Sequence, residues 1–241
     1  MERFAKQFIK WLAFSKALSY PRSIFRRLVT DAISNKHGVI VYYNAPHQSK
    51  AFDLIDKIKS ETEMLLTNNE AYQIFMAVTR TEKVKGDVAE VGVYKGGSAK
   101  LICEAKGDKA LHLFDTFEGI PKIEQIDASR FYKGQYAASI DAVRMYLEKY
   151  TDVYFYKGLF PATAEPIKDK KFSFVNLDVD TYESTLNCLT FFYTRMSQCG
   201  VIISHDYISA DGVRKAFDEF FRDKPEPILE LSGSHCLIVK S

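Results

Sequence analysis

The stretch Val88-Ala89-Glu90-Val91-Gly92-Val93-Tyr94-Lys95-Gly96-Gly97-Ser98 decides how the rest of the chain is read. A short apolar strand, Val88 to Val91, runs into a glycine-rich turn, and a helix follows from about Ser98 to Lys106. Strand, glycine turn and helix in that order open a nucleotide-binding α/β sheet. The turn lacks the second glycine of G-x-G-x-x-G, because Val93 and Tyr94 follow Gly92, and it lacks the G-K-[ST] ending of a triphosphate loop. A nucleoside without a phosphate chain fits it better. The next strand, Leu111 to Phe114, ends at Asp115, whose carboxylate can accept hydrogen bonds from both hydroxyls of a ribose. Glu90, Gly92, Gly96 and Asp115 are therefore the first candidate ligand-binding residues.

Working outward, further strands are expected at Val153 to Tyr156, Phe172 to Leu177 and Val201 to Ser204, with helical stretches near 135–149, 183–197 and 210–222 between them. Pro227 to Leu231 and Cys236 to Val239 are joined only by Ser232-Gly233-Ser234-His235. That is too short for a crossover helix, so they pair as an antiparallel hairpin. The fold class is α/β: a doubly wound, mostly parallel, seven-stranded Rossmann-like sheet closed by an antiparallel hairpin, the outline of class I methyltransferases, although other α/β enzymes also carry antiparallel edges. Residues 1–80 read as an N-terminal helical cap, with Phe4, Phe8, Trp11 and Leu18 near helical spacing, and residues 81–241 as the catalytic domain.

Ligands of a doubly wound sheet bind beyond the carboxyl ends of its strands. Two carboxylate-bearing motifs stand there: Asp178-Val179-Asp180 after the fourth strand and His205-Asp206-Tyr207 after the fifth. Carboxylates gathered behind apolar strands repel one another unless a cation or a shared proton neutralises them. Asp178 and Asp206 offer oxygen ligands suited to magnesium, and Asp180 or His205 is the candidate general base. Segment 118–137, with Gly119, Pro121 and Gly134, reads as a mobile loop over the cleft whose aromatics Phe131, Tyr132 and Tyr136 either stack on a sugar or aromatic acceptor or pack as it closes, packing being the favoured reading for each.

Lys plus Arg number 33 and Asp plus Glu 31, a net charge of +2, which argues against nucleic acid as a partner. The basic charge is concentrated early: residues 1–30 carry Arg3, Lys6, Lys10, Lys16, Arg22, Arg26 and Arg27 against Glu2 alone. Lys10 and Lys16 interrupt the apolar run around Trp11, so no secretory segment is expected and the protein is placed in the cytoplasm. Cys103, Cys188, Cys199 and Cys236 form no C-x-x-C pair and read as small buried hydrophobes.

The ordered segments Glu90 to Ser98, Phe114-Asp-Thr-Phe-Glu-Gly-Ile-Pro121, Tyr156-Lys-Gly-Leu-Phe-Pro161, Leu177-Asp-Val-Asp-Thr-Tyr-Glu-Ser-Thr185, Asp206-Tyr207 and Gly212-Val-Arg-Lys-Ala216 together resemble the TylF-like, or macrocin O-methyltransferase, family over residues 60–223. That resemblance implies S-adenosylmethionine (SAM) as cofactor and a sugar or polyol hydroxyl of a small molecule as acceptor. It implies that the cofactor lies against the loop carrying Glu90, Gly92, Tyr94, Gly96 and Ser98, against Asp115 and Thr116, near Gly158 and Phe160, and beside Asp178. It further implies a divalent metal, magnesium in kind, on Asp178 and Asp206 with Asp180 as base. One position departs from the family's pattern of two adjacent aspartates: His205 precedes Asp206, so His205 is a third candidate metal ligand or a replacement base.

Two other readings stand beside this one. Asp178-Val-Asp180 also suits a metal-dependent glycosyltransferase. Alternatively the α/β domain is an inactive scaffold, with the basic stretch of residues 1–20 lying on a membrane surface. The same stretch can instead cover a core edge or build a homo-oligomer interface.

Overall fold

The structure, a computed structural model, describes residues 46–241. The expectations for Phe4, Phe8, Trp11, Leu18 and the basic stretch of residues 1–20 lie outside the described residues. Two helices, α1 (Pro46–Glu61) and α2 (Asn68–Arg80), precede the sheet. Helix α2 starts where sequence chemistry says it should: Thr67 and Glu70 form a reciprocal capping box that satisfies the first free amides.

Strands β1 (Asp87–Val91), β2 (Leu111–Asp115), β3 (Val153–Lys157), β4 (Phe172–Leu177) and β5 (Met196–Ser204) are followed in turn by α3 (Gly97–Ala105), α4 (Ile140–Tyr146), a 3-10 turn at Glu165–Ile167, α5 (Tyr182–Tyr193) and α6 (Asp211–Phe221). The hairpin β6 (Leu229–Glu230) and β7 (Cys236–Val239) completes one seven-stranded sheet of order β3-β2-β1-β4-β5-β7-β6. Neighbours among the first five strands run parallel, and β7 is antiparallel to both β5 and β6. The predicted class I methyltransferase architecture is the one observed.

Both faces of the sheet are covered, so the central strands are apolar throughout instead of alternating with polar residues. Phe172, Val175 and Leu177 pack with Phe192 and Phe217 on one face, whereas Val88, Leu111, Leu113 and Phe174 pack with Ile55, Ile74 and Leu101 on the other. Among the described residues no helix is long and apolar enough to cross a membrane.

Three boundaries differ from expectation for local reasons. Helix α4 is shorter than 135–149 because Ser139 caps it by accepting the Ala142 amide, while Gln135 still pairs with the preceding loop. Strand β5 begins at Met196, five residues early, across an irregularity where Cys199 takes a φ of 62°. That kink turns Cys199 outward, so this cysteine is exposed while Cys103, Cys188 and Cys236 are buried as expected. Strand β6 is confined to Leu229–Glu230, and Pro227, which has no N–H to give a ladder, stays outside it.

The sheet and its glycine turn meet most closely at Gly92. Its φ is 89°, and a Cβ there would lie 1.8 Å from the Asp178 carbonyl oxygen, because the loops leaving β1 and β4 run against each other. Gly92→Ala is expected to cost more than about 2 kcal/mol, from left-handed backbone and this overlap together. Urea unfolding followed by circular dichroism measures it, and an unchanged midpoint would show that the two loops part freely.

Candidate active site

The loops at the carboxyl ends of β1, β2, β4 and β5 enclose a cleft of about 350 Å³. Gly92, Tyr94, Ser98, Asp115, Thr116, Gly158, Phe160, Asp178, Asp180, His205 and Asp206 all line it. Two sequence candidates do not. Gly96 caps α3 from the far side, packed against Val143, with a φ of 79°. Glu90 is fully buried behind the turn; strand alternation puts it on the same face as Val88, beneath α3.

Glu90 accepts a hydrogen bond from Asn176 Nδ2 at 2.8 Å through Oε1, while its Oε2 has no partner among the described residues. Burial pushes its pKa up to about 8, with Ser98 and Asn176 opposing and Asp178 and Asp115 adding to the rise. The side chain is thus a neutral acid near neutral pH, supporting the turn from behind.

Asp115 is more occupied than a free ribose acceptor would be. Its Oδ2 accepts the amides of Val93 (2.7 Å) and Tyr94 (2.8 Å), and Oδ1 accepts that of Phe117 (2.6 Å). The carboxylate pins the glycine turn, in which Tyr94 holds a φ of 49°. Oδ2 is filled by its two amides, and Oδ1 keeps one lone pair toward the cleft. Gly96 gives α3 no side-chain cap, so first-turn amides near Gly97 and Ser98 remain for an anionic group at this helix end.

Across the cleft, His205 Nδ1 lies 3.2 Å from Asp178 Oδ1 and 3.1 Å from Asp206 Oδ2. The three donor atoms lie within 4.8 Å of one another. Arg130 reaches down from the 118–137 loop to Asp206 Oδ1 at 3.0 Å, and Ser209 Oγ donates to the same oxygen. Burial alone would lower the His205 pKa, but the carboxylates of Asp178, Asp206 and Glu70 outweigh it and raise it strongly. Burial likewise opposes ionisation of Asp206, yet the bonds from His205 and Ser209 and the charge of Arg130 hold it down at about 2. Asp180, half-buried and facing Asp178 and Asp206, is raised well above the usual carboxylate range, by burial first and then by those two neighbours.

The 118–137 loop is closed on itself, with Ile120 N–H donating to Gln135 O and Gly134 N–H to Ile120 O. Asp127, buried, accepts the first amide of α5 from Tyr182 at 3.1 Å. Of its aromatics Phe131 packs into the core, Tyr132 is exposed, and Tyr136 lines the cleft with its ring against Tyr94. Sequence reasoning missed Arg130 and the wall formed by Glu63, Met64, Leu65 and Leu66. Glu63 accepts from Tyr94 Oη at 3.1 Å and Lys95 Nζ at 2.6 Å. Neither contribution has a local motif.

A family model described as macrocin-O-methyltransferase (TylF) matches residues 17–231, most of the chain. The chain belongs to the TylF macrocin O-methyltransferase family. Its O-methyltransferase activity and its SAM cofactor follow from that membership and from the fold. Among TylF relatives, a Streptomyces olivaceus enzyme, 8-demethyl-8-(2,3-dimethoxy-alpha-L-rhamnosyl)-tetracenomycin-C 4'-O-methyltransferase, is 26% identical over 88% of this chain and 91% of its own length. The solved O-methyltransferase NovP shares the fold at a TM-score of 0.64 and 24% identity, over 74% of this chain and 82% of NovP. An O-methyltransferase from Bacillus cereus, solved in complex with SAH, has a TM-score of 0.55 at 14% identity, over 88% of this chain and 97% of that one.

The Glu90 carboxyl yields a test. Its pKa in the folded chain lies above the ordinary carboxylate value, so the stability it contributes is complete below about pH 4.5 and is lost as pH rises toward 8. Glu90→Gln keeps the shape and cannot ionise. Its melting temperature relative to wild type is expected to climb by several degrees between pH 5 and pH 8 and then level off. A difference that stays constant across that range would mean Glu90 is already ionised in the fold.

Proposed function

We propose that this enzyme transfers the SAM methyl group to a hydroxyl of a glycosyl or polyhydroxylated small molecule, with a divalent ion assisting. The observation that carries the reading is the convergence of Asp178, Asp180, His205 and Asp206 in the same cleft as the glycine turn, Asp115 and Phe160. The Streptomyces olivaceus relative, named for methylating a rhamnosyl-bearing compound, supports a sugar-type acceptor.

The donor set fits a metal. Ligands on adjacent corners of an octahedron with bonds of about 2.1 Å sit about 3 Å apart, close to the 3.1 and 3.2 Å separating His205 Nδ1 from its two carboxylate neighbours. Asp178, His205 and Asp206 would hold the ion, and bound there it supplies Lewis acidity that makes an acceptor hydroxyl easier to deprotonate.

The protein's own groups divide the remaining work. The open amides at the start of α3 suit the methionyl carboxylate of SAM, and the remaining lone pair of Asp115 Oδ1 suits a ribose hydroxyl. Phe160 and Gly158 border the position for adenine. Asp180, whose carboxylate is disfavoured by its neighbours, becomes an effective proton acceptor once cationic SAM enters the cleft and lowers that cost. Tyr136 and Arg130 exclude water from above, and the segment before residue 81 supplies the wall at Glu63 to Leu66. In-line transfer then depends mainly on positioning.

Calorimetric titration of S-adenosylhomocysteine is expected to show micromolar binding to wild type and loss of at least tenfold in Asp115→Ala. With radiolabelled SAM, label should pass to glycosides or polyols, and Asp180→Asn should lower kcat by at least about 100-fold with cofactor binding intact. Absence of S-adenosylhomocysteine binding to wild type would overturn the cofactor site. An Asp180→Asn variant of full activity would remove Asp180 as base.

A further inference from the structure

Behind His205 lies a set of contacts that the reaction as described does not use. Glu70 is buried at the start of α2, and its Oε2 accepts from the Thr67 backbone N–H (2.8 Å) and from Thr67 Oγ1 (2.7 Å). Its other oxygen, Oε1, accepts the Ser234 N–H at 2.8 Å and faces His205 Nε2 at 3.7 Å. Three residues along the same helix, Gln73 Oε1 accepts from His235 Nδ1 at 2.8 Å, and the His235 ring stands edge-on to His205 with 5.3 Å between centroids. Ser234 Oγ lies 2.6 Å from Ser209 Oγ, the group that bonds Asp206. Helix α2 and the tip of the β6–β7 hairpin therefore grip the imidazole and its carboxylate neighbour from the rear.

This grip has a chemical direction. A neutral imidazole has one N–H and one lone pair. Carboxylates face both ring nitrogens, Asp178 and Asp206 at Nδ1 and Glu70 at Nε2, so an ion held by Asp178 and Asp206 would displace the Nδ1 proton and leave the remaining N–H on Nε2, directed at Glu70. A carboxylate behind a ligating histidine fixes its tautomer and raises its basicity. A site of two carboxylates and one imidazole favours first-row transition ions, because magnesium prefers an all-oxygen shell and gains little from nitrogen.

We infer that Glu70 is a positioning residue for His205, presenting Nδ1 to a bound ion, and that the site so built selects a first-row transition ion over magnesium. This rests on the metal-assisted reading of the cleft.

The test is calorimetric titration of cobalt(II), and separately of magnesium, into the full chain saturated with S-adenosylhomocysteine. Wild type, Glu70→Gln and His205→Asp are compared. Glutamine at residue 70 keeps one acceptor oxygen, enough for the Thr67 cap or for the Ser234 N–H but not for both, and a circular dichroism melt checks that it folds. Wild type is expected to bind cobalt at least about tenfold tighter than magnesium. Glu70→Gln should weaken cobalt binding about 10- to 100-fold with S-adenosylhomocysteine affinity unchanged, an effect that loss of a helix cap alone would not produce. His205→Asp should narrow the cobalt-to-magnesium ratio, and because it leaves Glu70 in place it tests selectivity even if Glu70→Gln folds poorly. Equal affinity of wild type for the two ions, unaltered cobalt binding in Glu70→Gln, or no binding of either ion would overturn the inference. Failure to bind S-adenosylhomocysteine would instead strike the methyl-transfer site itself.

Discussion

Mutual repulsion among Asp178, Asp180 and Asp206 is the constraint around which this cleft is assembled. Three carboxylates cannot share a small enclosed space at full charge, so each must find a cation, a proton or a dense set of donors. His205 stands between Asp178 and Asp206, Arg130 reaches Asp206 from the loop above, and Asp180 retains its proton more readily than an ordinary aspartate. These partners come from the ends of β4 and β5 and from the covering loop. Sheet, loop and helices are thus tied together by a requirement for charge balance as well as by apolar packing.

Much of this arrangement was legible in the sequence because it is local. The glycine turn, the carboxylates at the ends of β4 and β5, and the short hairpin linker each announce themselves within a few residues. The fold followed, since an apolar run ending at a polar residue fixes both a parallel strand and the mouth of the cleft. Glu90 shows where the reading was incomplete: the same alternation that identifies β1 places residue 90 on the face of Val88, under α3, instead of at the mouth. Arg130 and Glu70 lacked any local signature. Their meaning depends on partners 76 and 164 positions away, Asp206 and Ser234, which only the folded chain brings near.

The side of the cleft proposed for the cofactor relies on backbone more than on side chains. Asp115 uses its charge to hold the amides of Val93, Tyr94 and Phe117, and Gly92 allows the turn to lie directly against the Asp178 backbone. A movement of the glycine turn would therefore shift Asp178 as well. The glycine turn and the Asp178 loop are mechanically one piece, joined at a contact too close for any side chain.

The bond from Ser234 to Glu70 also bears on how the protein is made. A contact spanning 164 residues closes a large loop of chain. During synthesis, α2 and the glycine turn leave the ribosome long before the hairpin that completes the rear of the site. A partly synthesised chain that stops before the hairpin lacks the Ser234 contact that braces Glu70.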